Sequence, residues 1–186
     1  QFISAARLVV DTIRDAAEMG ATVRNYTLMQ QSKQLAEGWQ LTLRDVLTSE
    51  EVMVKTKLIL NVTGPWGNRF NQTLKSVIPD KVIGLKGAHI VVKLPVEFSE
   101  WGIMIINRVN EPMYFLPWHG MHYIGLNRTP YDGNLDEVKA TEDEAEWLLG
   151  EVNYVFPQLS LQRKDILYSY AGIHPVTFDA SDPQGN

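Results

Sequence analysis

The sequence has no cysteine in 186 residues. That absence excludes disulfides, thiolate metal sites and cysteine nucleophiles together, and fits a reducing compartment. No apolar run approaches the ~20 residues that span a bilayer; the uncharged apolar stretches around 58–62 and 102–106 are far shorter. Basic residues do not cluster at nucleic-acid-binding density, and 17 Lys and Arg against 22 Asp and Glu leave a net charge of −5. The G-x-G-x-x-G fingerprint of a dinucleotide phosphate loop is missing. So are an initiating Met and a signal-peptide layout. The chain opens on Gln1 in mid-element and closes on the turn-like Asp182-Pro183-Gln184-Gly185-Asn186, which reads as an internal piece of a longer protein. A hydrophobic share of 45% and a charged share of 21% exclude a disordered or collagen-like chain.

What is present falls into two textures with a soft boundary near residue 80. Ala5, Leu8, Val9, Ile13, Ala16 and Ala17 recur at helical spacing over 4–19, and Gly20 is placed to end that helix. Residues 21–29 read as a short strand. The alternating run 38–43 and the segment 51–54 continue as a meander, with turns at 35–38 and 47–50. Residues 57–62 read as a buried strand feeding the loop Thr63-Gly64-Pro65-Trp66. Beyond Gly84, the runs 87–94, 102–107, 112–117 and 121–126 predict an antiparallel sheet. Thr141 and Glu144 form a capping box ahead of a helix presenting Ala145, Leu148, Leu149, Val152 and Val155 on one side, ended by Pro157. A last strand covers 166–171. The first part is α/β-like and the second α+β.

Four histidines are candidates for chemistry. His119 and His122 lie between two apolar runs, but a metal site wants further converging ligands, and Pro117-Trp118-His119-Gly120-Met121 reads as a hairpin turn; no metal is expected. His89, in Lys86-Gly87-Ala88-His89-Ile90, stands near a strand start, where it could act as a general base or orient a hydroxyl; the alternative is a hydrogen-bonded core or edge histidine. His174 stands at a strand's end before Pro175, which stops pairing. Gly64, just past a strand's carboxyl end, allows close approach of a ligand or another backbone; the alternative is a tight turn with Trp66 as a core plug.

In order along the chain come Gly-Ala-Thr-Val, Leu-Ile-Leu-Asn-Val-Thr-Gly-Pro-Trp, Leu-Lys-Gly-Ala-His-Ile-Val-Val, Phe-Leu-Pro-Trp, Tyr-Ile-Gly and Tyr-Ser-Tyr-Ala-Gly-Ile-His-Pro. This series resembles the FAD-dependent (respiratory) glycerol-3-phosphate dehydrogenases of the D-amino-acid-oxidase-like flavoproteins, over almost the whole chain. The Thr-Gly-Pro-Trp element is shared across the larger group, whereas Lys-Gly-x-His-Ile-Val-Val with the downstream Pro-Trp points to this branch. The resemblance implies an α+β fold with residues 1–80 as a partial FAD-binding domain lacking the phosphate loop and 81–186 as a substrate-binding antiparallel sheet with its packed helix. It implies oxidation of sn-glycerol 3-phosphate to dihydroxyacetone phosphate, with hydride passing to FAD and electrons to quinone. Carried over by position, His89 is the catalytic histidine; Thr63 and Gly64 contact the flavin side through their backbone, and Met29 lies near the adenine. Lys86, Arg128 and His174 are the substrate-binding candidates.

Two positions depart from the family pattern. The family's Ser-Gly-x-Arg-Pro is here Ala171-Gly172-Ile173-His174-Pro175, so the arginine fork for a phosphate is replaced by an imidazole, mostly neutral at pH 7. The family's Gly-Thr-Thr-Asp is here Gly125-Leu126-Asn127-Arg128-Thr129, a carboxylate replaced by a guanidinium that could restore the lost charge. These departures keep open a divergent relative acting on another small hydroxy or amino compound, and a non-catalytic binding domain; an unrelated α+β module is a third reading. The implied parent is cytoplasmic, peripheral to the inner membrane and homo-oligomeric, with no nucleic-acid partner. This piece alone is expected neither to hold FAD tightly nor to turn over, because the pyrophosphate loop is missing.

Overall fold

The computed structural model describes residues 4–74 and 80–177; the opening at Gln1 and the turn-like close at 182–186 lie outside them. The chain forms two compact units, Gln1–Leu60 and Asn61–Asn186.

In the first unit, helix α1 (Ala5–Glu18) ends as its Gly20 predicts. Gly20 takes φ +97°, its N–H donates to Ala17 O at 3.0 Å, and the Ala21 N–H donates to Ala16 O at 3.0 Å. This paired capping satisfies two of the carbonyls that every helix end leaves open. Strands β1 (Thr27–Leu35), β2 (Gly38–Asp45) and β3 (Glu51–Thr56) form an antiparallel meander in the order β1-β2-β3. Strand β1 begins later than the expected 21–29, after Tyr26 in the left-handed region at φ 49°. Asp45 closes the second turn by accepting from the Leu47 and Thr48 N–H groups at 2.9 and 3.0 Å. Those bonds hold its carboxyl below the ordinary range.

The expected buried strand at 57–62 is corrected. The segment pairs with no strand among the described residues, and Leu58, Leu60 and Val62 are exposed. A fully apolar strand is stable only with neighbours on both edges and cover on both faces, and the described chain supplies neither.

The second unit is built on β4 (Val82–Val92). One edge pairs with β7 (Met121–Gly125) over His89 to Val92 and with β8 (Thr129–Tyr131) over Gly84 to Lys86; the other pairs along its length with β9 (Ile166–Thr177). Strands β5 (Ile103–Ile106) and β6 (Pro112–Trp118) extend the sheet beyond β7. The β6–β7 hairpin turns on His119 and Gly120, both at positive φ, 48° and 75°, the two-residue turn whose twist suits antiparallel strands. Strand β9 is longer than the expected 166–171 and continues through Pro175, opposite Gly84. A proline is tolerated there because β9 is an edge strand among the described residues, and an edge position can lose one N–H without breaking a ladder.

The boundary between units falls at Leu60 and Asn61 rather than near residue 80. The Thr63 to Gln72 segment is tied to β4: Asn68 donates to Val82 O at 2.6 Å and accepts from the Lys81 and Val82 N–H groups at 2.8 and 3.1 Å. Helix α2 (Gly67–Gln72) therefore belongs with the sheet.

Period-two alternation sorts β4 between two faces. Ala88, Ile90 and Val92 are buried with Met113, Phe115 and Ile124 beneath helix α3 (Glu142–Val155), which contributes Ala145, Leu148, Leu149 and Val152. The capping box is formed: Thr141 Oγ1 accepts from the Glu144 N–H at 3.2 Å, and Glu144 accepts from the Thr141 N–H at 2.8 Å. The same Glu144 carboxylate pairs with the buried Lys86 Nζ at 2.8 Å. Although burial works against it, Lys86 and the other hydrogen bonds hold Glu144 below the ordinary carboxylate range.

Glu144 thus does two things that Thr141 does not share. Thr141→Ala is expected to lower unfolding stability by about 1 kcal/mol, the usual value of an N-cap. Glu144→Ala should remove about 3 kcal/mol or more, since it also leaves Lys86 buried without a counter-charge. Urea unfolding of the two variants checks this, and equal losses would take the ion pair out of the stability argument.

Candidate active site

The second face of β4 opens on a cleft of about 380 Å³. His89 and Leu85 reach it from β4, Tyr170 and His174 from β9, and Leu126 and Arg128 from the segment between β7 and β8. The register sets these neighbours, since His89 lies opposite Tyr170 on one side and Gly125 on the other, and Leu85 opposite His174. Three of the residues singled out in sequence, His89, Arg128 and His174, therefore share one cavity although they lie far apart in the chain.

His89 stands in the body of β4 rather than at its start. Its ring stacks on Tyr170 with centroids 4.9 Å apart and planes 3° from parallel, and Tyr123 meets it edge-on at 6.2 Å. Nδ1 is buried without a hydrogen-bond partner among the described residues, and the ring lines the cleft. Burial pushes the imidazole below its ordinary range, so the ring is neutral at pH 7 and can accept a proton. Burial pushes the Tyr170 phenol up, so it stays a neutral donor.

Arg128 and His174 are both exposed at the cleft. Arg128 has no carboxylate partner among the described residues, whereas Arg24, Arg69, Arg108 and Arg163 are each paired with one. A guanidinium that no described residue neutralises is available to an anionic ligand.

Lys86 is corrected as a substrate-binding residue. It projects from the opposite face of β4, is buried, and spends its charge on Glu144. One residue along a strand reverses the face, and spacing alone hid that because basic character is equally useful on either side. His122 is a core histidine: Nδ1 accepts from the Leu94 N–H at 3.4 Å and Nε2 donates to Phe98 O at 3.1 Å. His119 sits in the hairpin turn. Among the described residues no three His, Asp or Glu side chains converge as a metal site would require.

Thr63 and Gly64 lead a 3-10 turn, Gly64–Trp66, against β9. Gly64 holds φ +58°, and a β-carbon on it would have only Pro175 Cγ near, at 4.0 Å. The Thr63 hydroxyl and N–H both turn to Asn61 Oδ1, at 2.7 and 3.3 Å, and its carbonyl accepts from the Trp66 N–H at 3.2 Å. Trp66 is no core plug; it remains 37% exposed, and its Nε1 donates to Asp136 at 3.3 Å. Met29 lies in the first unit, beside the irregularity in the β1–β2 pairing, and lines a separate hollow of about 570 Å³.

The residues present fit a flat ring system such as the isoalloxazine of FAD. The open space at Gly64 suits the close approach of a planar group, and the orphaned Nδ1 marks a desolvated wall of the kind a reacting centre needs. Sequence reasoning missed Tyr170, Leu126 and Gly125. The alternation of Tyr168 and Tyr170 was the available signal, because it places both rings on one face of an edge strand.

A sequence profile described as FAD dependent oxidoreductase matches residues 1–185. The glycerol-3-phosphate dehydrogenase of Synechocystis sp. is 30% identical over 98% of this chain and 35% of its own length. The alpha-glycerophosphate oxidase of Streptococcus pyogenes serotype M6 is 32% identical over 97% of this chain and 31% of its own. The chain thus spans about a third of the length of these relatives. Among solved structures, the glycerol-3-phosphate dehydrogenase of Bacillus halodurans complexed with FAD superposes with a TM-score of 0.85 at 24% identity, covering 93% of this chain and 35% of that one. The amino acid oxidase NikD superposes at 0.67 with 15% identity, covering 95% and 46%. With a profile match across nearly every residue, on a fold shared with an FAD complex, the chain belongs to the FAD-dependent oxidoreductase family.

Proposed function

We propose that the enzyme containing this chain oxidises sn-glycerol 3-phosphate to dihydroxyacetone phosphate, with FAD as hydride acceptor and a quinone as the final electron acceptor. The observation that carries this reading is the single cleft shared by His89, His174 and an Arg128 with no carboxylate partner among the described residues. The names of the relatives, glycerol-3-phosphate dehydrogenase and alpha-glycerophosphate oxidase, support the substrate class.

Turning a secondary alcohol into a ketone removes a hydride from carbon and a proton from oxygen. When bound, FAD supplies the hydride acceptor. His89 Nε2 takes the hydroxyl proton, and Arg128 holds the phosphate by charge-assisted hydrogen bonds with His174 beside it. Leu85, Leu126 and Ile173 line the remaining wall and shed water from the reacting end. Thr63 and Gly64 would hold the flavin side of the cofactor through their backbone, and Met29 its adenine side. We place the parent in the cytoplasm as a homo-oligomer peripheral to the inner membrane. Among the described residues no helix is long and apolar enough to cross a membrane, which is compatible with a peripheral attachment.

The deciding experiment uses the full-length protein: its visible spectrum is recorded, then sn-glycerol 3-phosphate is added without oxygen. Bleaching of the flavin band is expected. A yellow protein that keeps its colour with this substrate would overturn the assignment in favour of another alcohol or amine, and a protein colourless even after reconstitution with FAD would favour a non-catalytic domain.

Arg128→Ala is expected to raise KM for sn-glycerol 3-phosphate by about tenfold or more, the usual size of a lost charge-assisted bond, while barely changing KM for glycerol. His174→Arg should lower the first KM and spare the second. An equal effect on both substrates would remove Arg128 from phosphate recognition.

Because burial depresses the His89 value, its neutral form persists to lower pH than that of an ordinary imidazole at about 6.5. The acid limb of kcat/KM is therefore expected below pH 6.5. The native state should begin to lose stability as pH falls below about 6.5, where the unfolded chain's imidazole takes up a proton that the buried ring refuses, and the loss is complete once pH has fallen through the lowered native value. His89→Asn should remove the limb and lower kcat by about 10²- to 10⁴-fold; a limb that survives in this variant belongs to another group.

A further inference from the structure

A hydrogen bond from Nδ1 to a carboxylate or carbonyl is the ordinary way to fix the orientation of a working histidine. Among the described residues His89 has none, because its Nδ1 is buried and unpartnered. Something else must hold the ring, and the sheet register brings up two candidates.

We propose that Tyr170 and Gly125 are positioning residues for His89, Tyr170 by stacking on its ring and Gly125 by leaving the space in which the ring lies. The kinetic part rests on the glycerol-phosphate reading above; the geometric part does not. His89 pairs with Gly125 on β7 and with Tyr170 on β9, so its side chain stands between them on the same face. Toward β9 the two rings are within 3° of parallel at 4.9 Å, a spacing at which aromatic pairs attract. Toward β7 a β-carbon on Gly125 would overlap His89 Cδ2, and would lie 2.7 Å from Cγ and 2.8 Å from Ala88 O. Any larger residue there must displace the imidazole, since the backbone of the central strand cannot yield. Tyr123 closes the remaining side edge-on at 6.2 Å. The ring is thus held by shape on three sides while it lines the cleft.

The test uses the full-length FAD-loaded protein, labelled with ¹³C-histidine, with the His89 Hε1 resonance assigned by its loss in His89→Asn. Tyr170→Leu is expected to move that resonance downfield as the ring current disappears. It should also lower kcat for sn-glycerol 3-phosphate by about 10- to 100-fold, the effect of a misplaced reacting group, with KM nearly unchanged. Tyr170→Phe, which keeps the ring, should match the wild type in both. Gly125→Ala should shift the resonance and lower kcat with Tyr170 intact; if it does not fold, the Tyr170 pair decides alone. An unmoved resonance in Tyr170→Leu would overturn the proposal. So would a Tyr170→Phe variant as slow as Tyr170→Leu, which would mean that the phenol touches substrate directly. If the wild type does not oxidise sn-glycerol 3-phosphate, the substrate reading falls, and the resonance still decides whether Tyr170 positions His89.

Discussion

The pleat of β4 is the constraint on which the second unit depends. A strand paired on both edges must send alternate side chains to opposite faces, and here those faces have opposite duties. Lys86, Ala88, Ile90 and Val92 go down to α3, where an apolar cluster and one ion pair fix the helix on the sheet. Leu85, Gly87 and His89 go up into the cleft. A register slip of one residue would bury His89 beneath α3 and raise Lys86 into the cleft, so packing of the core and placement of the imidazole are a single event. Asn127 reinforces that register by accepting from the Ala88 N–H at 2.7 Å, which also anchors the segment carrying Leu126 and Arg128.

Much of this was legible in the residues because its causes are local. Helix α1 with Gly20 beyond it, the meander from Gly38, the capping box at Thr141 and the buried side of α3 all depend on neighbours a few positions away. Two readings failed where the cause is distant. Residues 57–62 have the composition of a buried strand but lack the partners that would make one. Pro175 looks like a stop, yet β9 continues past it because the edge it faces is open. The candidate site shows the same division. His89, Arg128 and His174 were visible as residues, but their convergence is a property of the β4–β9 register, and Lys86 fell away through the same register.

The residues proposed to hold the anion come from elements that approach β4 from opposite edges. His174 comes from β9 and Arg128 from the segment that joins β7 to β8. Loss of an arginine on one edge can therefore be answered on the other, provided both side chains look into the same volume. What such a site must preserve is the positive field within hydrogen-bond reach of the ligand, more than the position from which it issues.

That field is unusually simple. Of the titratable groups around the cleft, burial keeps His89 uncharged and raises the Tyr170 phenol away from ionisation. Arg128 is the lining residue whose charge is permanent. In the proposed reading, two interactions orient the ligand, its anionic end on the guanidinium and its hydroxyl on the desolvated imidazole. A permanent cation and a desolvated imidazole lining one cleft are what the proposed phosphorylated polyol would require, and the pair is a stronger support for that proposal than a histidine alone.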